Sequence, residues 1–397
     1  MASDLAVRLA VALRNRKADT AFGVPGGGPN LDLIAAMAAE GIGFVLAHSE
    51  TAACIMASTY GSINGALTPV IVTRGPGAAS AVNGVAQATL DRQSLVLIAD
   101  TVPSEARDRV AHQRIDQRAL FDPVTVGSLS FNRTTPEDEL AVVLNRATRW
   151  PRGAVLIDYD ASDTPTGPPF AAFTPSKIDQ VENDPTNYYD SGHKSADRSV
   201  GEQVRGLLAS ANKPVVLLGA AVLAAEPKLS DALISFGAPI LSTYQAAGFI
   251  SSEDDLYAGL FTNGATERPL LDQADLIIAI GLDMVEPIPA PWTYDAPVIS
   301  LATQPTTDPY LPIRYELVDD LWVLAADFLS QSNGSRGWSP KTGAEHRRSV
   351  RERLRGADEP GQSSDGIDPI DLVTTTAACA PSPVSYTRLT LPTIYSV

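Results

Sequence analysis

The chain has 397 residues, of which 44% are hydrophobic and 19% charged, an ordinary composition for a globular protein with two or three domains. Its 30 lysines and arginines against 46 aspartates and glutamates give a formal net charge of −16, which argues against nucleic acid and anionic membranes as partners. We expect neither a membrane span nor a signal peptide, and therefore a cytoplasmic location. The two cysteines and four scattered histidines have no metal-binding spacing, so no metal ligand is predicted.

The first 163 residues alternate helical patterns with short apolar runs. Apolar runs of this length between helices are typical of buried parallel strands in βαβ units. The predicted elements are a helix at Leu5–Asn15, a strand at Ala21–Val24, a helix at Asn30–Glu40, a strand at Phe44–Ala47, a helix after Ser49, a strand at Pro69–Thr73, a helix after Arg74–Gly77, a strand at Leu95–Ala99, a strand-like stretch at Phe121–Phe131, a helix at Pro136–Thr148 and a strand at Gly153–Asp158. Residues 1–163 therefore read as one doubly wound α/β domain.

A second α/β domain is predicted at residues 199–332, after a linker at 164–198 that is rich in Pro, Asp, Ser and Asn. Its predicted elements are helices at Ser199–Ser210, Glu226–Phe236 and Leu317–Ser330, and strands at Lys213–Gly219, Ala238–Thr243, Ala274–Ile280 and Ala296–Leu301. The turn after its first strand, Leu218–Ala221, holds one glycine and so lacks a dinucleotide-binding fingerprint. The fold class is thus two doubly wound, mostly parallel α/β domains, the second Rossmann-like.

The remaining chain, residues 333–397, is harder to place. Residues 333–383 are predicted to be a linker and the start of a truncated third domain, with a solvated linker helix at Glu345–Arg355 and a helical pattern at Asp368–Ala380. Residues 384–397 continue no period, and we expect a non-native tail on an incomplete gene product. The alternative is a genuine two-domain protein with an unusual tail.

Three predicted strands of the first domain end in loops that could carry chemistry: Pro25–Gly28, His48–Glu50 and Arg74–Gly77. Ligands of open parallel sheets bind outside the carboxyl ends of the strands. Two glycine-rich loops beside a carboxylate suit a flat heteroaromatic ligand with a ring nitrogen. Each feature also has a purely structural interpretation, since Glu50 can complement a helix dipole and the glycines can form a tight turn.

Five segments of the first domain resemble one enzyme family in order and spacing. Phe22–Gly27 resembles the FGxPGG loop of thiamine diphosphate enzymes of the acetolactate synthase, pyruvate oxidase and benzoylformate decarboxylase type. Glu50–Gly61 resembles the family's catalytic glutamate helix, and Val72–Ala78 is similar to VTSGPGATN. Ala86–Asp91 with the following strand, and Asp116–Phe121, resemble its next two segments. The second domain is similar to the family's central domain.

The resemblance implies that Glu50 is the catalytic acid that hydrogen-bonds the pyrimidine N1′ of thiamine diphosphate and favours its imino tautomer. It places cofactor-binding residues at Pro25, Gly26, Gly27, Glu50, Thr73, Gly75, Pro76, Gly77 and Asn83, and substrate-proximal residues at His48, His112, Gln113 and Gln117. It further implies a 2-oxo acid substrate, decarboxylase or carboligase activity, Mg²⁺, and a homodimer or homotetramer. FAD serves some members of the family, and no sequence signal decides whether it is bound here.

The sequence departs from the family pattern at several points. Ser49 stands directly before Glu50 where the family usually has His, with His48 one step back, and Arg74 stands where Ser is common. The family's GDG motif, which marks the domain that binds Mg²⁺ and diphosphate, does not occur in the sequence. We therefore expect the chain by itself to be inactive. A non-catalytic α/β ligand-binding or regulatory protein, and an unrelated nucleotide-binding protein, remain as alternatives.

Overall fold

The computed structural model describes residues 3–102, 113–161, 198–286, 290–306, 311–330 and 334–355, together with Thr375. The chain divides into two compact units, residues 1–190 and 191–397. Each unit is built on its own six-stranded sheet, and in both sheets all strand pairs are parallel. The predicted fold class, two doubly wound α/β domains, is confirmed.

The first unit has the strand order β2-β1-β3-β4-β6-β5. Its strands are β1 (Thr20–Val24), β2 (Gly43–Leu46), β3 (Thr68–Val72), β4 (Leu95–Asp100), β5 (Gly127–Phe131) and β6 (Ala154–Tyr159). Its helices are α1 (Asp4–Arg14), α2 (Pro29–Ala39), α3 (Glu50–Asn64), α4 (Pro76–Leu90), α5 (Gln117–Phe121) and α6 (Glu137–Thr148). The central strands β3, β4 and β6 are buried along their whole length, as expected for a parallel sheet covered on both faces.

Alternate strand residues of the first sheet belong to two separate cores. One core joins α1, α2 and α6 to strand residues such as Ile71 and Ile98. The other joins α3 and α4 to the intervening residues, among them Val70 and Leu97. Because side chains alternate along a strand, the two helix layers cover opposite faces of the sheet.

Helices α3 and α4 approach each other closely because a glycine lies at their contact. A Cβ added to Gly84 would lie 2.5 Å from Cys54 Cβ and 2.9 Å from the Thr51 carbonyl oxygen. The Thr51 hydroxyl donates a hydrogen bond of 2.6 Å to the Ser80 carbonyl. Burial, followed by the charge of Glu50, raises the pKa of the Cys54 thiol to about 12, so this cysteine is a packing residue. The contact fixes the first turn of α3 beside α4.

The second unit has the strand order β12-β11-β10-β7-β8-β9. Its strands are β7 (Pro214–Leu218), β8 (Ile240–Ser242), β9 (Tyr257–Leu260), β10 (Leu276–Ile280), β11 (Val298–Ala302) and β12 (Ile313–Val318). Its helices are α7 (Arg198–Ser210), α8 (Lys228–Phe236), α9 (Arg268–Leu271), α10 (Leu321–Phe328) and α11 (Thr342–Arg355), with a 3-10 turn at Ala220–Ala224 after β7. Renumbered from β7, this is the 6-5-4-1-2-3 order of a Rossmann fold.

Two predicted elements are wrong in part. Of the strand-like stretch Phe121–Phe131, only Gly127–Phe131 is a strand, since Asp116 accepts a hydrogen bond of 3.0 Å from Ala119 N and caps the short helix α5 before it. The predicted helix Leu317–Ser330 begins at Leu321, because β12 extends through Val318 and Asp320 caps α10. The sequence analysis also missed β9, β12 and α9.

The helix predicted at Glu345–Arg355 is present, but the prediction that it is a solvated linker is wrong. The helix, α11, packs against β9 as part of the second unit: Ala344 N donates to the Asp255 carbonyl at 3.0 Å, and an Arg347 guanidinium nitrogen donates to the Asp254 carbonyl at 3.0 Å. The predicted linker at 164–198 apart from Arg198, the pattern at Asp368–Ala380 apart from Thr375, and the tail at 384–397 lie outside the described residues.

The described residues contain neither a candidate membrane-spanning helix nor a candidate metal-binding cluster. None of their helices is both long and apolar enough to cross a membrane. No three His, Cys, Asp or Glu side chains in the described ranges are grouped so that they could hold a metal ion.

Candidate active site

The three loops singled out by the sequence lie at one edge of the first sheet. β2, β1 and β3 are parallel neighbours, so their carboxyl ends face the same way. The chain leaves β1 toward β2 on one side and reaches β3 on the other, which makes this edge a topological switch point. A crevice at such a point is where open α/β sheets bind ligands.

Glu50 is the first residue of α3, and its position is set by the residue before it. Ser49 is extended, with φ −152° and ψ 159°, and its hydroxyl accepts a hydrogen bond of 3.2 Å from Ala52 N. This is an N-cap, which fixes where the helix begins. Glu50 is half-buried, and within the described ranges no residue donates a hydrogen bond to its carboxylate. Its oxygens are therefore available to a donor on a ligand.

Two glycines form the walls beside Glu50, with Thr73 between them. A Cβ added to Gly77 would lie 2.5 Å from Thr73 Cγ2 and 3.3 Å from Glu50 Oε1. A Cβ added to Gly26 would lie 2.5 Å from Thr73 Oγ1. Only glycine lets the first and third loops approach Thr73 this closely. Any larger side chain at either position would clash with Thr73.

Asn30, which the sequence analysis did not select, contributes a buried donor beside Gly26. Its side chain is fully buried, and its Oδ1 accepts a hydrogen bond of 2.7 Å from Gly26 N. Its Nδ2 has no partner among the described residues. Leaving a buried donor unpaired costs about 1–3 kcal/mol, so a water or a ligand acceptor that reached Asn30 Nδ2 would be stabilising. The sole sequence signal was an asparagine just after the glycine-rich loop.

Gln117 holds the turn that leads into α4. Its Oε1 accepts a hydrogen bond of 2.8 Å from Gly75 N, and its Nε2 donates to Asp158 Oδ1 at 2.8 Å and to the Asp100 carbonyl at 3.4 Å. Gly75 has φ +65°, and a Cβ on it would lie 2.3 Å from the Gln113 carbonyl oxygen. Both polar ends of the Gln117 amide are therefore occupied: Oε1 holds Gly75, and Nε2 anchors the side chain to Asp158 and the Asp100 carbonyl. Whether Gln117 also lies near a substrate stays a prediction.

Arg74 and Asp100 form a largely buried ion pair next to this turn. Arg74 N donates to Asp100 Oδ1 at 2.8 Å, and the guanidinium contacts Asp100 Oδ2. Burial raises the pKa of Asp100, although the Arg74 charge and hydrogen bonds act against that rise. The positive charge of Arg74, which stands where the family commonly has serine, is thus compensated by the carboxylate of Asp100 at the end of the neighbouring strand β4.

The other predicted site residues are spread more widely. His48 is exposed in the loop before α3, and Asn83 is exposed on α4. Pro25 is half-buried, Pro76 is exposed at the start of α4, and Gly27 is exposed with open space around it. Gln113 is half-buried against Gly75, while His112 lies outside the described residues. The binding and substrate roles of these residues stay predictions.

Asp158, buried behind Gln117, is expected to make the stability of the first unit depend on pH. Burial raises the pKa of Asp158 to about 6 from 3.8, against the opposing hydrogen bond from Gln117. Because the folded state holds this proton more tightly, stability should fall as pH rises from about 4 to about 6, by up to ~3 kcal/mol. Urea unfolding across this range should show a larger fall in the wild type than in Asp158→Asn, in which the raised pKa of Asp100 still contributes.

The control for that experiment is Asp138→Asn, which removes an exposed carboxylate in the first turn of α6. The free energy of unfolding of this variant should depend on pH in the same way as that of the wild type. Parallel profiles for the wild type and Asp158→Asn would show that the Asp158 proton is not taken up on folding.

Comparison with known families agrees with this geometry. Residues 4–120 match the N-terminal TPP binding domain of thiamine pyrophosphate enzymes, and residues 202–321 match the central domain of the same family. The two matches together cover more than half of the chain: the first spans β1 to β4 of the first sheet, and the second spans β7 to β12 of the second sheet. The chain belongs to the thiamine pyrophosphate (thiamine diphosphate) enzyme family.

The individual relatives include synthases and a decarboxylase. The chain is 30% identical over 285 residues to a catabolic acetolactate synthase of Raoultella terrigena, covering 68% of this chain and 47% of the relative. It is 29% identical to an acetolactate synthase of Bacillus subtilis (68% and 46% covered) and 27% identical to a probable 2-ketoarginine decarboxylase of Pseudomonas aeruginosa (69% and 48% covered). The chain spans about half the length of these curated relatives.

Proposed function

We propose that the protein containing this chain is a thiamine diphosphate-dependent enzyme that acts on a 2-oxo acid, as an acetolactate synthase-like carboligase or as a decarboxylase. The observation that carries the proposal is the Glu50 carboxylate at the head of α3. It faces the glycine wall at Gly77 and receives no hydrogen bond from the described residues. Both family matches and all three relatives above support this reading.

The residues of the cleft fit the pyrimidine end of the cofactor. A Cβ at Gly26 or Gly77 would clash with Thr73, so glycine at both positions keeps side chains out of the space where a flat ring would lie beside Glu50. Glu50 offers an acceptor for a protonated ring nitrogen, and Asn30 Nδ2 offers an unpaired donor. When bound, thiamine diphosphate supplies the electron sink for breaking the bond between the carboxyl and carbonyl carbons of a 2-oxo acid.

The chain's own part in catalysis is to hold a proton and to shape the cleft. The half-buried Glu50 carboxylate would hold the proton at the ring nitrogen; a positioned carboxylate of this kind contributes roughly 10²–10⁴-fold as a general acid–base group. Gln117 fixes Gly75, and through it the start of α4 on which Gly77 lies. Mg²⁺ and the diphosphate belong, by the family resemblance, to a further domain, and we propose a homodimer or homotetramer on the same ground.

The proposal is tested by incubating a protein that contains this chain with pyruvate, thiamine diphosphate and Mg²⁺. The amounts of pyruvate consumed and of CO₂ and acetolactate formed are then measured. Release of CO₂ should require thiamine diphosphate. One CO₂ for every two pyruvates, with acetolactate formed, indicates a carboligase; one CO₂ for each pyruvate indicates a decarboxylase.

Pyruvate should be compared with larger 2-oxo acids such as 2-oxobutyrate and benzoylformate. Tight binding of thiamine diphosphate with no turnover of any of them would favour the non-catalytic alternative. Failure to bind the cofactor, in a protein shown to be folded, would contradict the proposal altogether.

A further inference from the structure

The second sheet has the strand order that commonly binds a dinucleotide. The chain runs from β7 to β8 on one side and returns to β10 on the other, so the carboxyl ends of β7 and β10 flank a switch point. In Rossmann folds the pyrophosphate lies at the turn after the first strand, against backbone N–H groups. In this chain that turn is Gly219–Ala221, at the end of β7.

A side chain of the protein already fills that place. Glu286 Oε2 accepts hydrogen bonds from Ala220 N at 2.8 Å and from Asp283 N at 2.9 Å. Its Oε1 accepts from the Thr243 hydroxyl, just past the end of β8. One carboxyl group therefore joins the segments that follow β7, β8 and β10. The Ala220 N–H, which would face a phosphate in a dinucleotide-binding protein, is therefore already hydrogen-bonded to Glu286.

The backbone of the turn is packed tightly against the segment that follows β10. A Cβ added to Gly219 would lie 2.2 Å from Leu282 Cα and 2.5 Å from the Gly281 carbonyl oxygen. Ala221 N donates a hydrogen bond of 3.0 Å to that same carbonyl. The segment after β10 thus lies directly on the turn after β7, which continues as a short 3-10 turn at Ala220–Ala224.

We propose that the Glu286 carboxyl group is a built-in occupant of the phosphate position of the second unit's Rossmann sheet, and that it excludes FAD and other dinucleotides from this chain. The inference rests on the second unit alone and is independent of the thiamine diphosphate chemistry proposed for Glu50. It answers the question that the sequence left open, because the single glycine of the turn did not decide whether FAD is bound.

The first test is equilibrium dialysis of the whole chain against FAD and against ADP. The wild type should retain neither ligand. Retention of about one FAD or one ADP per chain by the wild type would overturn the proposal.

The second test is chemical replacement of the carboxylate. In Glu286→Ala the donors on Ala220, Asp283 and Thr243 lose their acceptor, so acetate should raise the thermal midpoint of this variant well beyond its effect on the wild type. Glu226→Gln, at an exposed position before α8, is the matched control and should respond to acetate as the wild type does. An equal response of Glu286→Ala and the wild type would overturn the proposal.

Glu286→Gln keeps the test decisive if the alanine variant does not fold. Burial raises the pKa of Glu286 to about 7, with the charge of Asp283 acting in the same direction. Ionisation of Glu286 then destabilises the folded wild type. The thermal midpoint of Glu286→Gln minus that of the wild type should therefore increase as pH rises from about 5 to about 8. A difference between the two midpoints that does not change with pH would show that the Glu286 carboxyl group is not buried among the donors of Ala220, Asp283 and Thr243, and would overturn the proposal.

Discussion

Replacing Glu50 by glutamine is expected to lower turnover of a 2-oxo acid by roughly 10²–10⁴-fold, in a catalytically competent protein that contains this chain. The amide keeps the size of the carboxylate but cannot share a proton with a ring nitrogen in the same way. Ser49 would still cap α3, and the walls at Gly26 and Gly77 would be unchanged, so the fold should persist. Steady-state assay of 2-oxo acid consumption at saturating thiamine diphosphate measures the loss.

The matched control is Glu40→Gln, a half-buried glutamate at the end of α2 and outside the cleft. It should retain wild-type turnover. Equal activity of Glu50→Gln and Glu40→Gln would mean that Glu50 only complements the dipole of α3.

Replacing Gly75 by alanine is expected to destabilise the first unit by about 2–5 kcal/mol. Two independent effects add: φ is +65°, a conformation that alanine adopts with strain, and the new Cβ would lie 2.3 Å from the Gln113 carbonyl oxygen. Moving the backbone to relieve that clash would also disturb the hydrogen bond from Gly75 N to Gln117. Urea unfolding, followed by circular dichroism, gives the free-energy change.

Gly27→Ala provides the control in the glycine-rich loop after β1. An added Cβ at Gly27 meets nothing within 4 Å, so stability should change by less than about 0.5 kcal/mol. If Gly75→Ala were as mild as Gly27→Ala, the turn could not be the rigid support for α4 that its contacts indicate.

Three of the strands that the sequence predicted well are buried on both faces. β3, β4 and β6 are continuous apolar runs, and a run of that kind between helices has few other interpretations. β9 (YAGL) and β12 (IRYELV), which were missed, lie at the edges of the second sheet, and neither is a continuous apolar run. The linker prediction for α11 failed because its charged sequence does not reveal backbone hydrogen bonds to the segment before β9.

The parts of the candidate site that could be predicted from the sequence are those that lie at strand ends or in local motifs. Parallel neighbours bring Gly26, Glu50 and Gly77 to one edge, and the resemblance identified all three. The supporting contacts were not predictable, because they join residues far apart in the chain. Gln117 holds a glycine 42 positions earlier, and Glu286 accepts from a backbone 66 positions earlier. Neither pairing leaves a local pattern in the sequence.

The central claim is that Glu50 activates the cofactor, and its most direct measurement is the exchange of the thiazolium C2 proton of bound thiamine diphosphate with solvent deuterium, followed by NMR. Glu50→Gln should slow this exchange by roughly 10²–10⁴-fold while Glu40→Gln leaves it at the wild-type rate. Unchanged exchange in Glu50→Gln, with the cofactor bound, would contradict the assignment of Glu50 as the cofactor-activating acid.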